Sequence, residues 1–268
     1  LSTSPTNASL FEFKRENGVN VRKTLKTYTN PAFTTSAGIT SILNDVKSFS
    51  TTKRYGMIIG CHGLGWVPKG TSLLSRNSFA TQKMHWDYEG VPMTRYFGGL
   101  SYEYQTDITA LAQGINDAGL KMEYILFDDC YMSGAEVAYE LKDVTDYLIA
   151  STSEIMAYGM PYARIGQYLV GDIDYKAICD AFYDFYNLYS VMPCGTIGVT
   201  KCAELDNMVA IMKEINSKYS FNTSLENEVQ KLDGYYPTVF FDYGDYVSKL
   251  CEDDSLLNIF KEQLSKTV

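Results

Sequence analysis

Two short stretches of this 268-residue chain hold residue types that could do nucleophilic chemistry. In Ile58-Ile59-Gly60-Cys61-His62-Gly63-Leu64-Gly65-Trp66 an apolar run delivers a histidine and then glycines. In Ile125-Leu126-Phe127-Asp128-Asp129-Cys130-Tyr131-Met132-Ser133-Gly134 an apolar run delivers two aspartates and a cysteine. A thiolate attacks carbonyl carbon readily, and an imidazole within reach can hold or return the proton. Gly63 has no side chain, so its amide can approach a substrate closely. A helix over residues 132–141 would put Cys130 near its N-terminus, where the positive end of the macrodipole favours thiolate. Asp128 and Asp129 oppose that effect, so they need a purpose of their own, and binding a cationic substrate group is one. Each stretch also has an ordinary reading: a solvated histidine before a turn, or a packed cysteine after helix-capping aspartates.

Both stretches sit at the ends of strands. Residues 55–61 and 122–127 read as strands buried on both faces of a parallel sheet. Between them lies a helix over 107–118, ended by Gly119. One helical crossover brings both carboxyl ends to the same sheet edge, where chemistry collects in open α/β sheets. A strand pair over 10–14 and 20–28 turns at Asn17-Gly18. Helices are expected over 35–49, 175–189 and 205–215, strands over 146–150 and 196–200, and a short tail helix after 239–250. Residues 64–99 lack periodicity and read as a long exposed connection, a kind usually functional. Alternating short apolar runs and helical ones give an α/β class. With no repeat or linker, one domain over 1–268 is expected.

Bulk composition narrows the function classes. At 46% hydrophobic and 21% charged residues the chain can build a large core. Its net charge is −9 and basic residues form no run, which argues against a nucleic-acid partner. No stretch reaches the ~20 apolar residues of a membrane span. Leu1-Ser2-Thr3-Ser4-Pro5 reads as a cut end rather than a leader. The six cysteines, at 61, 130, 179, 194, 202 and 251, form no C-x-x-C pair, and the histidines are only 62 and 85. No metal site is therefore expected, and most of the cysteines are expected to be small buried hydrophobes.

Taken together the motifs resemble those of the clostripain-like cysteine peptidases, relatives of caspases, gingipains and legumains. The family's H-G-x-G-W is matched by His62-Gly63-Leu64-Gly65-Trp66. Its D-x-C followed by E-V-A-Y-E-L is matched by Asp128-Asp129-Cys130 and Glu136-Val137-Ala138-Tyr139-Glu140-Leu141, with Asp129 where the family usually has a small residue. Ala150-Ser151, Gly159-Met160-Pro161-Tyr162 and Phe241-Asp242-Tyr243-Gly244-Asp245-Tyr246 match further segments. The family's opening strand–helix–strand unit finds no counterpart in these residues.

The resemblance implies a caspase-like sandwich, a mostly parallel central sheet with helices on both faces. It implies an endopeptidase in which Cys130 is the nucleophile and His62 its partner, with backbone N–H groups of Gly63 and Cys130 as the oxyanion hole. Cleavage after Arg or Lys is implied, with Asp128 at the base of the S1 pocket and Ser151, Thr152, Ser153 and Glu154 as its walls. Activation by a cut between His62 and Cys130 is implied too, at Arg76 or alternatively Lys69 or Lys83. Protein or peptide substrates and a secreted or cell-envelope location in bacteria follow from the same likeness. No cofactor is required; calcium accompanies some relatives, but no D-x-D-x-D-G loop is present. Two alternatives stay open at this point: a non-basic P1 preference, with Asp129 or the pocket wall selecting it, and a non-catalytic binding module on the same scaffold.

Overall fold

The computed structural model describes residues 2–4, 6–67, 69, 97–99, 102–156, 158–234 and 238–268. At the start, β1 (Ser2–Ser4), β2 (Asn7–Glu16) and β3 (Val19–Thr29) form an antiparallel sheet in that order. Asn17 and Gly18 both take positive φ, 49° and 82°, so the expected two-residue turn is formed, although the strands it joins are longer than expected.

A second sheet positions the chemistry. It contains β4 (Gly56–Gly60), β5 (Met122–Asp128), β6 (Thr145–Ala150) and β7 (Gly198–Lys201), hydrogen-bonded in that order. The first three strands are parallel and β7 returns antiparallel. Pleating sends alternate residues to opposite faces. Ile125, Phe127, Leu148 and Ala150 pack on one side against α1 (Ser36–Phe49), α2 (Ile108–Asp117) and α3 (Ala135–Leu141). Tyr124, Leu126 and Ile149 pack on the other against α4 (Tyr162–Ile165) and α5 (Tyr175–Asn187). The mostly parallel sheet with helices on both faces is thus observed. A third apolar cluster joins α6 (Leu205–Lys218), α7 (Tyr243–Leu250) and α8 (Asp254–Thr267).

Local chemistry explains the helices that brace β4. Thr35 caps α1 by accepting from the Gly38 N–H, and Ile39 and Leu43, four apart, turn inward onto Leu111 and Ile115 of α2. The crossing is tight at Gly114, where a Cβ would come within 2.7 Å of the Ile39 side chain.

Several expectations are corrected. Strand β4 is not buried on both faces: it is the sheet edge, with Met57 and Ile59 packed against the helices and Ile58 45% exposed on the other side. Helix α3 begins at Ala135, not beside Cys130, because residues 130–133 are taken up by a turn. Only Cys202 and Cys251 are buried; Cys61 and Cys194 are exposed, and Cys130 and Cys179 lie between. The ends of the 64–99 connection are not loose, since Leu64 is buried and Gly98 pairs with His62.

Candidate active site

The register of the central sheet sets the site. Gly60 of β4 pairs with Asp128, the last residue of β5. Cys61-His62 and Asp129-Cys130 therefore leave the sheet level with each other, as two parallel chain ends on one edge. Their backbones then touch. A Cβ on Gly63 would stand 2.5 Å from the Cys130 carbonyl oxygen and 2.8 Å from Asp129 Cβ, so only glycine permits this approach.

Each chain end is held from outside. His62 exchanges two backbone hydrogen bonds with Gly98, at 3.3 and 3.0 Å. Cys130 precedes Tyr131, whose φ of 60° is unusual for a bulky residue and has to be enforced by its surroundings. The enforcement is visible. Tyr131 is 1% exposed and stacked on Phe240 at 4.4 Å, its N–H donates to the Ser153 carbonyl, and its hydroxyl donates to Glu154. The Cys130 sulfur accepts the Ile155 N–H at 3.3 Å. Because α3 begins five residues downstream, a backbone amide replaces the helix macrodipole as the group that meets this sulfur.

The two aspartates point to opposite sides. Asp128 accepts from the Met160 N–H at 2.9 Å and the Tyr162 hydroxyl at 3.0 Å, and Gly159 Cα lies against its carboxylate. Burial pushes its carboxyl above the usual carboxylate range, while those two donors pull it back. Asp129 is 1% exposed, and both of its oxygens face Cys61, one taking the backbone N–H and the other the thiol. Neither aspartate caps a helix: the Asp129 carboxylate faces Cys61, and that of Asp128 faces Met160 and Tyr162.

The expected pocket walls divide. Ser151, Thr152 and Ser153 hydroxyls converge on Thr196 Oγ1, at 2.7, 3.2 and 2.8 Å. Glu154 is buried and turns to Tyr131 instead. Of the three candidate cleavage residues, Lys69 has its ammonium over the Tyr102 ring and its N–H on Asp107. Arg76 and Lys83 lie outside the described residues. A cavity of about 340 Å³ lies on the α2–α3 side, lined by residues including Leu64, Trp66, Lys69, Gln105 and Glu136. Neither His62, Cys130 nor Asp128 lines it.

Residue-by-residue reading missed Met160 and Tyr162 as partners of Asp128, Thr196 as the hydroxyl hub, and Cys61 as the partner of Asp129. Only Gly159-Met160-Pro161-Tyr162 carried a signal, as a motif without an assigned role.

Comparison with known proteins identifies relatives of the whole fold. The Peptidase C11 model, the clostripain family, matches residues 96–261. A structure described as a secreted C11 cysteine protease from Bacteroides thetaiotaomicron, iotapain, is 65% identical, with 99% of this chain and 72% of that one covered and a TM-score of 0.88. A clostripain from Bacteroides thetaiotaomicron in complex with the peptide inhibitor BTN-VLTK-AOMK is 70% identical over 65% of this chain and 77% of its own, with a TM-score of 0.64. An inactive zymogen C11 protease from Parabacteroides distasonis is 28% identical, covering 97% and 68%, with a TM-score of 0.76. Curated protein sequences give no match. The non-catalytic alternative loses its footing here, for the relatives are proteases. The chain belongs to the clostripain family of cysteine peptidases.

Proposed function

We propose that the chain cleaves peptide bonds after Arg or Lys with a Cys130–His62 dyad, and that a cut between those two residues activates it. The observation that carries this is the pairing of Gly60 with Asp128, which leaves the two chain ends level and adjacent. Cys130 thiolate attacks the scissile carbonyl and forms a C–S bond. The negative oxygen of the tetrahedral intermediate is met by the N–H groups of Gly63 and Cys130, each worth ~3–4 kcal/mol of barrier. As the C–N bond breaks, His62 hands a proton to the leaving amine. Water then attacks the thioester with His62 taking its proton, the C–S bond breaks to return the Cys130 thiolate, and the acid departs. The scheme uses no cofactor.

Asp128 supports the basic preference: a half-buried carboxylate with two oriented donors suits a P1 guanidinium or ammonium. The 70%-identical clostripain bound an inhibitor whose peptide, VLTK, ends in lysine. The hydroxyls gathered at Thr196 form one wall, with Glu154 behind them. Arg76 is the preferred activation site, with Lys69 and Lys83 as alternatives, and the zymogen among the relatives fits such a step. The relatives described as secreted favour an exported protein.

Fluorogenic peptides that differ only at P1 test the substrate class, with Arg or Lys turned over fastest. Faster turnover of an acidic or neutral P1 would overturn the assignment to Asp128. Cys130→Ala should abolish turnover, labelling by an active-site-directed peptide probe with a basic P1, and self-cleavage together; retained proteolysis would remove the dyad.

A further inference from the structure

Where the β4–β5 ladder ends, a side chain takes over its work. The last main-chain pair is Gly60 with Asp128. One residue on, the carboxylate of Asp129 accepts both the backbone N–H and the thiol of Cys61. Although Cys61 as a residue is exposed, its thiol faces inward, and its sulfur also accepts the Gly98 N–H at 3.2 Å. Gly98 in turn holds the His62 backbone on both its N–H and its carbonyl. The segment bearing His62 is thus tied on one side to Gly98 and on the other, through Cys61, to the residue that adjoins Cys130.

We propose that Asp129 is a positioning residue for peptide cleavage: its carboxylate fixes Cys61, and with it His62, at a set offset from Cys130. The proposal rests on the Cys130–His62 reading above. An acceptor with two oxygens is needed because Cys61 presents two donors, and a small residue at 129 would leave the Cys61 N–H without this partner. Selection of substrate is a poor alternative, as Asp129 is 1% exposed and turned from Asp128. The ionisable groups that act on its carboxyl include the Cys61 thiol and Asp128, Tyr162 lies within its electrostatic reach, and Gly63 packs against its Cβ. Burial, reinforced by Asp128 and opposed by the two Cys61 hydrogen bonds, pushes this carboxyl up to about 7. Its charge therefore changes in the working range of the imidazole two residues beyond Gly60, which gives the clamp a pH signature.

The test compares wild type, Asp129→Ala and Asp129→Asn on a fluorogenic peptide with a basic P1 between pH 5 and 9. Active enzyme is counted by titration with a covalent thiol probe. Asp129→Ala should lower kcat about 10- to 100-fold with KM within about threefold, the effect of misplacing a catalytic group rather than losing a substrate contact. Asp129→Asn keeps an amide oxygen for the Cys61 N–H and should recover kcat to within about fivefold. Its kcat/KM profile should also differ from that of the wild type by the loss of one ionisation near pH 7. An Asp129→Ala kcat within twofold of wild type, a loss confined to KM, or an Asp129→Asn profile superimposable on that of the wild type would each overturn the proposal. Should the alanine variant fail to fold, the asparagine profile decides. A Cys130→Ala variant run alongside separates the readings: if it stays active the dyad fails, and if it is dead while Asp129→Ala matches wild type only the positioning role fails.

Discussion

Gly63 packs directly on the backbone of Cys130, so close that a methyl group on it would stand 2.5 Å from the Cys130 carbonyl oxygen. A contact made by backbone on backbone cannot be relieved by a rotamer change. Gly63→Ala is therefore expected to destabilise the protein by about 1–3 kcal/mol, as overpacking does. It should also lower kcat at least about tenfold by parting His62 from Cys130. Denaturant unfolding and steady-state kinetics on the same preparation check both.

The Asp128 carboxylate, proposed as the S1 anchor, gives a prediction with a pH arm. Asp128→Asn should reduce kcat/KM for Arg and Lys at P1 about 100-fold while sparing neutral P1 residues, since a charged hydrogen bond is lost. In the wild type, burial raises the Asp128 carboxyl above its ordinary value. Binding of a basic side chain needs the ionised form, so kcat/KM should fall as pH drops through that raised value. Tyr162→Phe removes a donor that favours ionisation and should shift the fall to higher pH. A fall that stays at the same pH in Tyr162→Phe would contradict the assignment.

Asp129 makes the protein's stability depend on pH. Its carboxyl titrates at about 7 in the folded chain against an ordinary 3.8, so the folded state keeps a proton that the unfolded chain releases. The stability contributed by that proton is complete below about pH 4 and is lost as pH rises through about 7, up to roughly 4 kcal/mol. In a Cys130→Ala background, which removes self-digestion, Tm should be higher at pH 5 than at pH 8, and Asp129→Asn should flatten the difference. Equal Tm drops in both proteins would assign the pH dependence elsewhere.

Thr196 offers one hydroxyl to three others, of which Ser151 is fully buried. Thr196→Val keeps the shape and removes every one of these bonds. It should cost about 0.5–1.5 kcal/mol, the net worth of a hydrogen bond, because Ser151 keeps the Ser153 N–H. Ser151→Ala added to Thr196→Val should cost more again, because it also takes the acceptor from the Ser153 N–H; urea titration of the single and double variants measures this.

What the sequence made legible follows from which signals are local. The Asn17-Gly18 turn, the helix over 35–49 and the doubly apolar β5 are each written within a few residues, and all three are found, with Thr35 as the cap of that helix. His62 and Cys130 stood out because each ends an apolar run. The edge position of β4 was not legible, because exposure of Ile58 depends on which helices reach that side of the sheet. The late start of α3 and the left-handed Tyr131 depend on Phe240, Ser153 and Glu154, none of them adjacent in sequence. The same holds for Asp128, whose partners come 32 and 34 residues later. Side chains at the site are set by contacts between segments, and a single sequence records those only as isolated residues.

Strands β4 and β5 pair through five residues, and the Cys61–Asp129 contact at their end joins residues 68 apart. In the intact chain the intervening segment is a tether, and separated strands find each other again at a high effective concentration. If the chain is cut between His62 and Cys130 as proposed, the tether is gone and the same pairing holds two polypeptides together. Unfolding then becomes dissociation, and recovery becomes a bimolecular reaction that slows on dilution. The activated form would persist by the slowness of its opening rather than by any ability to refold. Each molecule that did come apart at low concentration would be spent.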